Sequence, residues 1–189
     1  IGNNRKKDLA SILEEYLRDL EQEDAVAENA ENAGHGVDKT LHDTTVIDIN
    51  HTAEYEEMTL KQTAEHTRAY IKIQDGCNQF CSYCVIPYAR GRVRSRSRED
   101  VVREITGLVA QGYKEAVLTG IHLSSYGVDF PEEKKETLLS LIRAVHEIEG
   151  IRRIRLGSLE PGIVTREFAE GIAALPKVCP HFHLSLQSG

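Results

Sequence analysis

Three cysteines, Cys77, Cys81 and Cys84, stand at C-x3-C-x2-C spacing in the stretch Cys77-Asn78-Gln79-Phe80-Cys81-Ser82-Tyr83-Cys84. This spacing fits one tight loop, on which all three thiolates can face one centre. Soft thiolates select zinc, copper(I) or iron–sulfur clusters. A structural zinc site takes four ligands, often as two pairs, and no second C-x2-C or H-x3-H lies nearby. Iron–sulfur clusters usually take four cysteines; three on a cubane leave one iron without a protein ligand, and open metal positions are where substrates bind. A structural zinc with one remote ligand, or three unliganded thiols, are the other readings of the same spacing.

The elements that must hold this loop are legible around it. Tyr70–Gln74 reads as a strand with Ile71 and Ile73 on one face, and Asp75-Gly76 turns the chain. From Thr67 onward strands and helices alternate. A strand over about 69–74 is followed by a helix begun at Ser97-Arg98-Glu99-Asp100, with Ser97 as cap and Val101, Val102, Ile105, Leu108 and Val109 inward. Gln111-Gly112 stops that helix. Glu115–Thr119 is a continuous apolar strand of the parallel-sheet kind. A helix over 136–149 follows, with Leu138, Leu141, Ile142, Val145 and Ile148 inward, then a strand at 152–156. A helix over 165–175 presents Phe168, Ile172 and Leu175, and a fourth strand covers 182–186. The pattern predicts an α/β fold whose strand C-termini gather at one rim, where active sites of this class form. Thr119-Gly120, Ser158 with Glu160, and Gln187 all fall at that rim. Each also has a plain structural role available, as a turn, a helix cap or an exposed end.

Upstream, Asp8–Leu20 reads as an amphipathic helix through Leu9, Ile12, Leu13, Tyr16, Leu17 and Leu20. Residues 21–44 read as a linker, part helical at most and poor in large apolar side chains, containing His35 and His42 as solvated histidines. Thr45–Ile49 reads as a short edge strand, and 54–66 as a polar connector. Residues 1–66 carry 6 Lys and Arg against 16 Asp and Glu, and residues 67–189 carry 17 against 14. An acidic arm thus joins a mildly basic body, and any nucleic-acid contact belongs on the body. Arg90, Arg92, Arg94, Arg96 and Arg98 alternate, which would place them on one side of an extended segment that grips phosphate or carboxylate. Phe80 and Tyr83 could shield a cluster. Cys179 reads as a packed free thiol, and His122, His181 and His183 as packing or exposed residues.

The 189 residues are 40% hydrophobic and 28% charged, with four cysteines, three of them clustered. This composition suits a soluble, cytoplasmic protein in a reducing compartment. No apolar run approaches the roughly 18 residues of a membrane span, and no signal peptide is visible. The chain starts without methionine, its only one being Met58, and stops on Gln-Ser-Gly; both ends look cut, so it reads as a fragment.

The cysteine spacing, with an aromatic residue before the third cysteine, resembles the signature of radical S-adenosylmethionine enzymes. Ile73–Cys77, the run Cys84-Val85-Ile86-Pro87-Tyr88-Ala89-Arg90-Gly91-Arg92, Thr119–Gly127 and Leu186–Gly189 resemble the methylthiotransferase branch, and most closely the type that modifies threonylcarbamoyladenosine in tRNA. The likeness runs from Ile1 to Gly189 but covers only the middle of the family's chain. It implies the first four or so βα units of a partial (β/α)6 barrel in 67–189, an acidic linker and connector in 21–66, and in 1–20 the tail of a preceding domain. It implies that Cys77, Cys81 and Cys84 hold a [4Fe–4S] cluster whose open iron takes S-adenosylmethionine. Tyr83 would lie beside the adenine, Thr119 and Gly120 would accept from the amino group through backbone carbonyls, and Ser158 and Glu160 would meet the ribose or methionine part. In the family a radical formed from the cofactor takes hydrogen from C2 of adenosine 37, and a second [4Fe–4S] cluster on the preceding domain supplies sulfur. This chain alone is then expected to bind one cluster and cleave the cofactor without methylthiolating tRNA. The implied partners are tRNA and an electron donor such as flavodoxin or ferredoxin, with no membrane; oligomeric state is not implied. The alternatives are a sister enzyme acting on isopentenyladenosine or on a ribosomal protein, and a zinc-stabilised binding module.

Overall fold

A computed structural model describes residues 6–27, 48–52, 54–56 and 68–187. The N-terminal helix, α1 (Leu9–Ala27), follows a 3-10 turn at Lys6–Asp8 and runs seven residues beyond the expected Leu20. Its run of Glu, Gln, Asp and Ala carries no helix breaker, and the low apolar content that marked a linker does not itself stop a helix. Leu9, Leu13, Tyr16, Leu17 and Leu20 of its apolar face are exposed. The expected edge strand at 45–49 is not formed where it is described: Asp48 instead caps a 3-10 turn, Ile49–His51, by accepting from the Asn50 amide. Residues 45–47, His35 and His42 lie outside the described residues.

The body is a four-stranded sheet in the order β2-β1-β3-β4. Strand β1 (Arg68–Asp75) lies between β2 (Arg94–Ser95), which runs antiparallel, and β3 (Glu115–Gly120), which runs parallel; β4 (Arg153–Leu156) lies parallel beyond β3. Period-2 alternation sends Ala69, Ile71, Ile73, Ala116, Leu118, Ile154 and Leu156 into one core with the helices. Helix α3 (Arg98–Ala110) supplies Val101, Ile105 and Leu108, and α4 (Leu138–Glu147) supplies Leu138, Leu139, Leu141, Ile142 and Val145. Phe168 and Ile172 come from α5 (Arg166–Ala173). Ser97 caps α3 as expected. The start of α4 is two residues later than expected, because Thr137 and Ser140 form a capping box there.

Two differences matter for the rim. The sheet is mixed, not all parallel: Arg94-Ser95 pairs back onto Gln74 and Asp75 directly after the cysteine loop. The expected fourth strand is reduced to a single bridge, Leu159 with Leu184; another, Ile154 with Val178, falls before it. Phe182, Leu184 and Leu186 are exposed there, so this segment has little apolar burial to enforce a ladder.

At the opposite end of the strands, Glu115 is 4% exposed and accepts from Arg153 Nε and Arg155 Nε at 2.7 Å each, with Arg68 at 3.5 Å. Burial raises the Glu115 carboxyl, but these arginines outweigh it and hold it below the usual range. One side chain thereby ties β1, β3 and β4 together. The packing predicts that Leu141→Ala, at a fully buried position, costs about 2–5 kcal/mol, whereas Thr137→Ala costs about 1 kcal/mol through loss of the α4 cap. Urea melts of the two variants are expected to show this order.

Candidate functional site

Three parallel strands deliver three loops to one rim: the cysteine loop after β1, Ile121–Ser125 after β3, and Gly157–Glu160 after β4. The rim is drawn tight. The Gly157 amide donates to the Leu118 carbonyl at 2.8 Å. Between Lys72 and Gln74 the β1–β3 register shifts, so that Lys72 pairs with Thr119 and Gln74 with Gly120. The bulge frees the Ile73 carbonyl to accept from the Arg96 amide at 2.9 Å, which anchors the chain returning from the cysteine loop.

The base of that loop is zipped shut. Gly76 has φ +71, and a Cβ there would stand 1.8 Å from the Arg92 carbonyl oxygen; only glycine fits. The Cys77 amide donates to the Gly91 carbonyl at 3.0 Å, and the Val93 amide to Asn78 Oδ1 at 3.1 Å. Arg94, 2% exposed, donates to the carbonyls of Arg92 and Arg90 at 3.0 Å each. Its guanidinium lies 3.8 Å from Asp75 Oδ2. Asp75, 7% exposed, also holds Lys72 and its own loop's Gly76 amide, the latter at 2.9 Å, with Arg90 at 4.0 Å. Burial alone would raise the Asp75 carboxyl; the Lys72 bond and charge, the Gly76 amide and Arg90 reverse this and hold it below the usual range.

The tip is open by contrast. Cys77 is buried, Cys84 half-buried and Cys81 exposed, with the Cys84 amide donating to the Cys81 carbonyl at 2.9 Å. Among the described residues, no three Cys, His, Asp or Glu side chains are gathered around one centre. Phe80 takes a left-handed φ of +49. Its ring packs edge-on against Tyr88 at 5.7 Å, with the Arg92 guanidinium 4.4 Å from its centroid. Tyr83 is 79% exposed, and its hydroxyl donates to Gln187 Oε1 at 2.7 Å, linking the loop tip to the last described residue. Short helix α2 (Ile86–Arg90), not anticipated from the sequence, starts just after Cys84 with Pro87 in its first turn.

The other expected rim residues divide. The Thr119 hydroxyl is used within the sheet, donating to the Ile71 carbonyl at 3.2 Å. Gly120 packs against Gln74: a Cβ there would stand 2.8 Å from Gln74 Oε1. Ser158 Oγ lies 2.7 Å from His183 Nδ1. The Glu160 amide donates to Ser124 Oγ at 2.9 Å, and its carboxylate stands 4.0 Å from His122 Nε2. Glu160 precedes the 3-10 turn at Pro161 but makes no side-chain cap bond. Cys179 stands beside β4, its amide bonded to the Ile154 carbonyl.

The five alternating arginines do not share one exposed side. Arg94 and Arg96 are 2% and 4% exposed; Arg96 pairs with Glu104, and Arg98 reaches Glu136 at 3.3 Å. The extended-strand expectation missed the bulge and the pairing of Arg94-Ser95, which turn these side chains into the protein. Gln74, Asp75 and Asn78 were missed as structural determinants. Two consecutive polar residues at the end of an apolar strand were the available signal.

Comparison with known proteins fits this geometry. The family model of the radical SAM superfamily matches residues 71–189. The chain belongs to that superfamily. Its members use a [4Fe–4S] cluster and S-adenosylmethionine, and the four-stranded sheet with helices on one face is a partial radical SAM barrel. The chain is 39% identical over 189 residues, all of its length, to the threonylcarbamoyladenosine tRNA methylthiotransferase MtaB of Aquifex aeolicus, 40% of which it covers. It is 46% identical over 123 residues, 65% of its length, to the tRNA-2-methylthio-N(6)-dimethylallyladenosine synthase of Clostridium tetani, 27% of which is covered. The chain therefore spans less than half the length of these relatives. Among solved structures, the radical S-adenosylmethionine methyltransferase TsrM of Kitasatospora setae, with cobalamin and a [4Fe–4S] cluster bound, aligns at TM-score 0.49 and 24% identity. That alignment covers 62% of this chain and 20% of TsrM. No helix among the described residues is long and apolar enough to cross a membrane.

The donor set fits such a cluster: three thiols and no competing imidazole or carboxylate within the loop Cys77–Cys84, on a fixed base with an accessible tip. The zipped base gives a direct expectation. Asp75→Ala leaves Arg94 buried without its carboxylate and lowers stability at pH 7 by about 3–5 kcal/mol. The folded-state carboxyl lies below its unfolded value of about 3.9, so this contribution is complete above that value and is lost as pH falls through the folded one. Thermal melts are expected to show a wider gap between wild type and Asp75→Ala at pH 7 than at pH 3.

Proposed function

We propose that this chain is the cluster-binding core of a cytoplasmic radical SAM tRNA methylthiotransferase that acts on N6-threonylcarbamoyladenosine at position 37. The observation that carries the reading is the cysteine loop on a zipped base at the parallel-strand rim, in a chain alignable along its whole length with MtaB. Cys77, Cys81 and Cys84 would hold the [4Fe–4S] cluster. When bound, the cluster supplies one electron to the sulfonium of S-adenosylmethionine. The protein's own work is binding and orientation. The carbonyls of Thr119 and Gly120, at the end of β3, would accept from the cofactor's amino group. Ser158 and Glu160 after β4 offer a hydroxyl and a carboxylate for ribose or methionine. Tyr83 offers a ring for the adenine, and its bond to Gln187 sets where that ring rests before the cofactor arrives. Burial of Cys77 shields the loop at its base.

Within this reading, residues 1–20 are the end of a preceding domain, 21–66 a linker and connector, and 67–189 the first part of the radical SAM core. Sulfur donation from a second cluster, tRNA binding and the electron donor, of the flavodoxin or ferredoxin kind, belong to the whole protein. A dimethylallyladenosine substrate is the second reading, supported by the 46% identity to the Clostridium tetani enzyme; its match covers less of the chain than that of the MtaB relative.

Anaerobic reconstitution is expected to load about four irons per chain, and the reduced protein to give a cubane paramagnetic signal that changes when S-adenosylmethionine is added. Because Cys81 is exposed, Cys81→Ala is expected to abolish that signal while shifting the melting temperature of the metal-free chain little. Stoichiometric zinc without iron or acid-labile sulfide would overturn the reading in favour of a structural module.

A further inference from the structure

Gln74 is the residue that the mechanism above leaves unused and the fold does not explain by packing alone. It sits at the inner end of β1, 0% exposed, with every polar atom of its amide engaged. Its Nε2 donates to the Asp75 carbonyl and to the Gly76 carbonyl, both at 2.7 Å. Its Oε1 accepts from the His122 amide at 2.8 Å. Gly120 lies directly against it, since a Cβ at Gly120 would stand 2.8 Å from Oε1 and 3.1 Å from Cβ of Gln74. One buried amide therefore spans two loops that are 48 residues apart in the bond to His122. On one side it grips the two carbonyls that lead into Cys77. On the other it grips the backbone that leads out of Thr119-Gly120.

An apolar side chain of the same size would fill the space at less desolvation cost. What it would not do is fix the distance between the two loops, because dispersion contacts tolerate sliding and a two-ended amide does not. We propose that Gln74 is a positioning residue that locks the cysteine loop to the Thr119–His122 loop, so that the cluster and the β3 carbonyls are held at a fixed separation around the cofactor's amino-acid end. The proposal rests on the reading of these loops as cluster loop and cofactor loop. It requires no contact between Gln74 and the cofactor.

The test uses the full chain, metal-free and reconstituted, as wild type, Gln74→Leu, Gln74→Glu and Ile172→Ala. The last is a control in α5, buried away from both loops. Two quantities are read: hydrogen exchange at the His122 amide in the metal-free chain, and the S-adenosylmethionine concentration that half-converts the cubane signal. For Gln74→Leu, His122 exchange is expected to quicken roughly ten- to hundredfold, as loss of a buried hydrogen bond implies. The half-converting concentration is expected to rise about tenfold or more on the same grounds, with iron content unchanged. Ile172→Ala is expected to lower the melting temperature and leave both quantities near wild type. In Gln74→Glu the protonated acid keeps the acceptor and one donor, whereas the ionised form keeps only the acceptor facing two carbonyls. Both quantities should therefore return toward wild type as pH falls.

Wild-type exchange and wild-type titration in Gln74→Leu would overturn the proposal, as would changes no larger than those of Ile172→Ala. If the unsubstituted chain gives no cubane signal, or one indifferent to S-adenosylmethionine, the cluster-loop reading fails and takes the cofactor half of the proposal with it. The His122 exchange would still report whether Gln74 braces the two loops.

Discussion

The constraint on which the rest of the site depends is the closeness of two backbone segments at the foot of the cysteine loop. The Arg92 carbonyl occupies the space where any side chain at residue 76 would begin. That approach brings Gly91 to the Cys77 amide and Val93 to Asn78. It also places Arg94 where its guanidinium can reach Arg90, Arg92 and Asp75 together. A buried ion pair is by itself weak support for stability, since desolvation offsets much of the attraction. Here the carboxylate is surrounded by Lys72, Arg90 and Arg94 and bonded to a backbone amide, so the attraction outweighs the burial. The effect is to make the base rigid while the tip, with Cys81 and Tyr83 exposed, carries almost no packing of its own.

Strand β1 serves two purposes, and the change between them occurs within three residues. Up to Ile73 it is an ordinary core strand whose alternate side chains meet α3 and α4. Ile73, Gln74 and Asp75 are then all buried in succession, which simple alternation cannot produce. The bulge opposite Thr119-Gly120 makes this possible by rotating the strand end out of step with β3. The polar pair Gln74-Asp75 is thus turned into the interior, where its side chains bond Gly76 and His122 of the loops as well as Lys72 and Asp75 of β1 itself.

The core of the fold was legible because its signals are periodic and local. The apolar faces of α3 and α4, the Ser97 cap and the continuous strand at Glu115 follow from side-chain spacing alone. The cysteine loop was legible for a different reason, since thiols at short spacing have few other uses. The segment at 182–186 misled because its alternation satisfies a strand template, yet a strand exists only through its partner. Here that partner contributes one bridge, at Leu159. The α1 extension errs in the opposite sense: a linker expected to be part helical at most continues the helix to Ala27, since a polar run does not by itself stop a helix. Gln74 and Asp75 carry their roles through contacts with Gly76, Arg94 and His122, and spacing along the chain does not encode those distances.

The arginine run shows most clearly how charge pattern and charge function separate. Five arginines at alternate positions look like a phosphate-gripping edge, and the body's 17 basic against 14 acidic residues point the same way. Yet Arg94 and Arg96 are interior groups neutralised by Asp75 and Glu104, Arg98 leans on Glu136, and Arg68, Arg153 and Arg155 converge on Glu115. Their charge is largely spent on holding strands and loop ends in register. Each phosphate contact steepens the salt dependence of duplex binding by about 0.9 in the log–log slope, and of single-strand binding by about 0.7. An interface that used all five arginines would show a slope of about 4.5 on duplex or about 3.5 on single strands. One that used only what this fold leaves outward, with Arg92 over Phe80 foremost, would show a much shallower one. Under the tRNA reading, stacking on an exposed ring such as Tyr88 then adds affinity that the arginine count of this run does not supply.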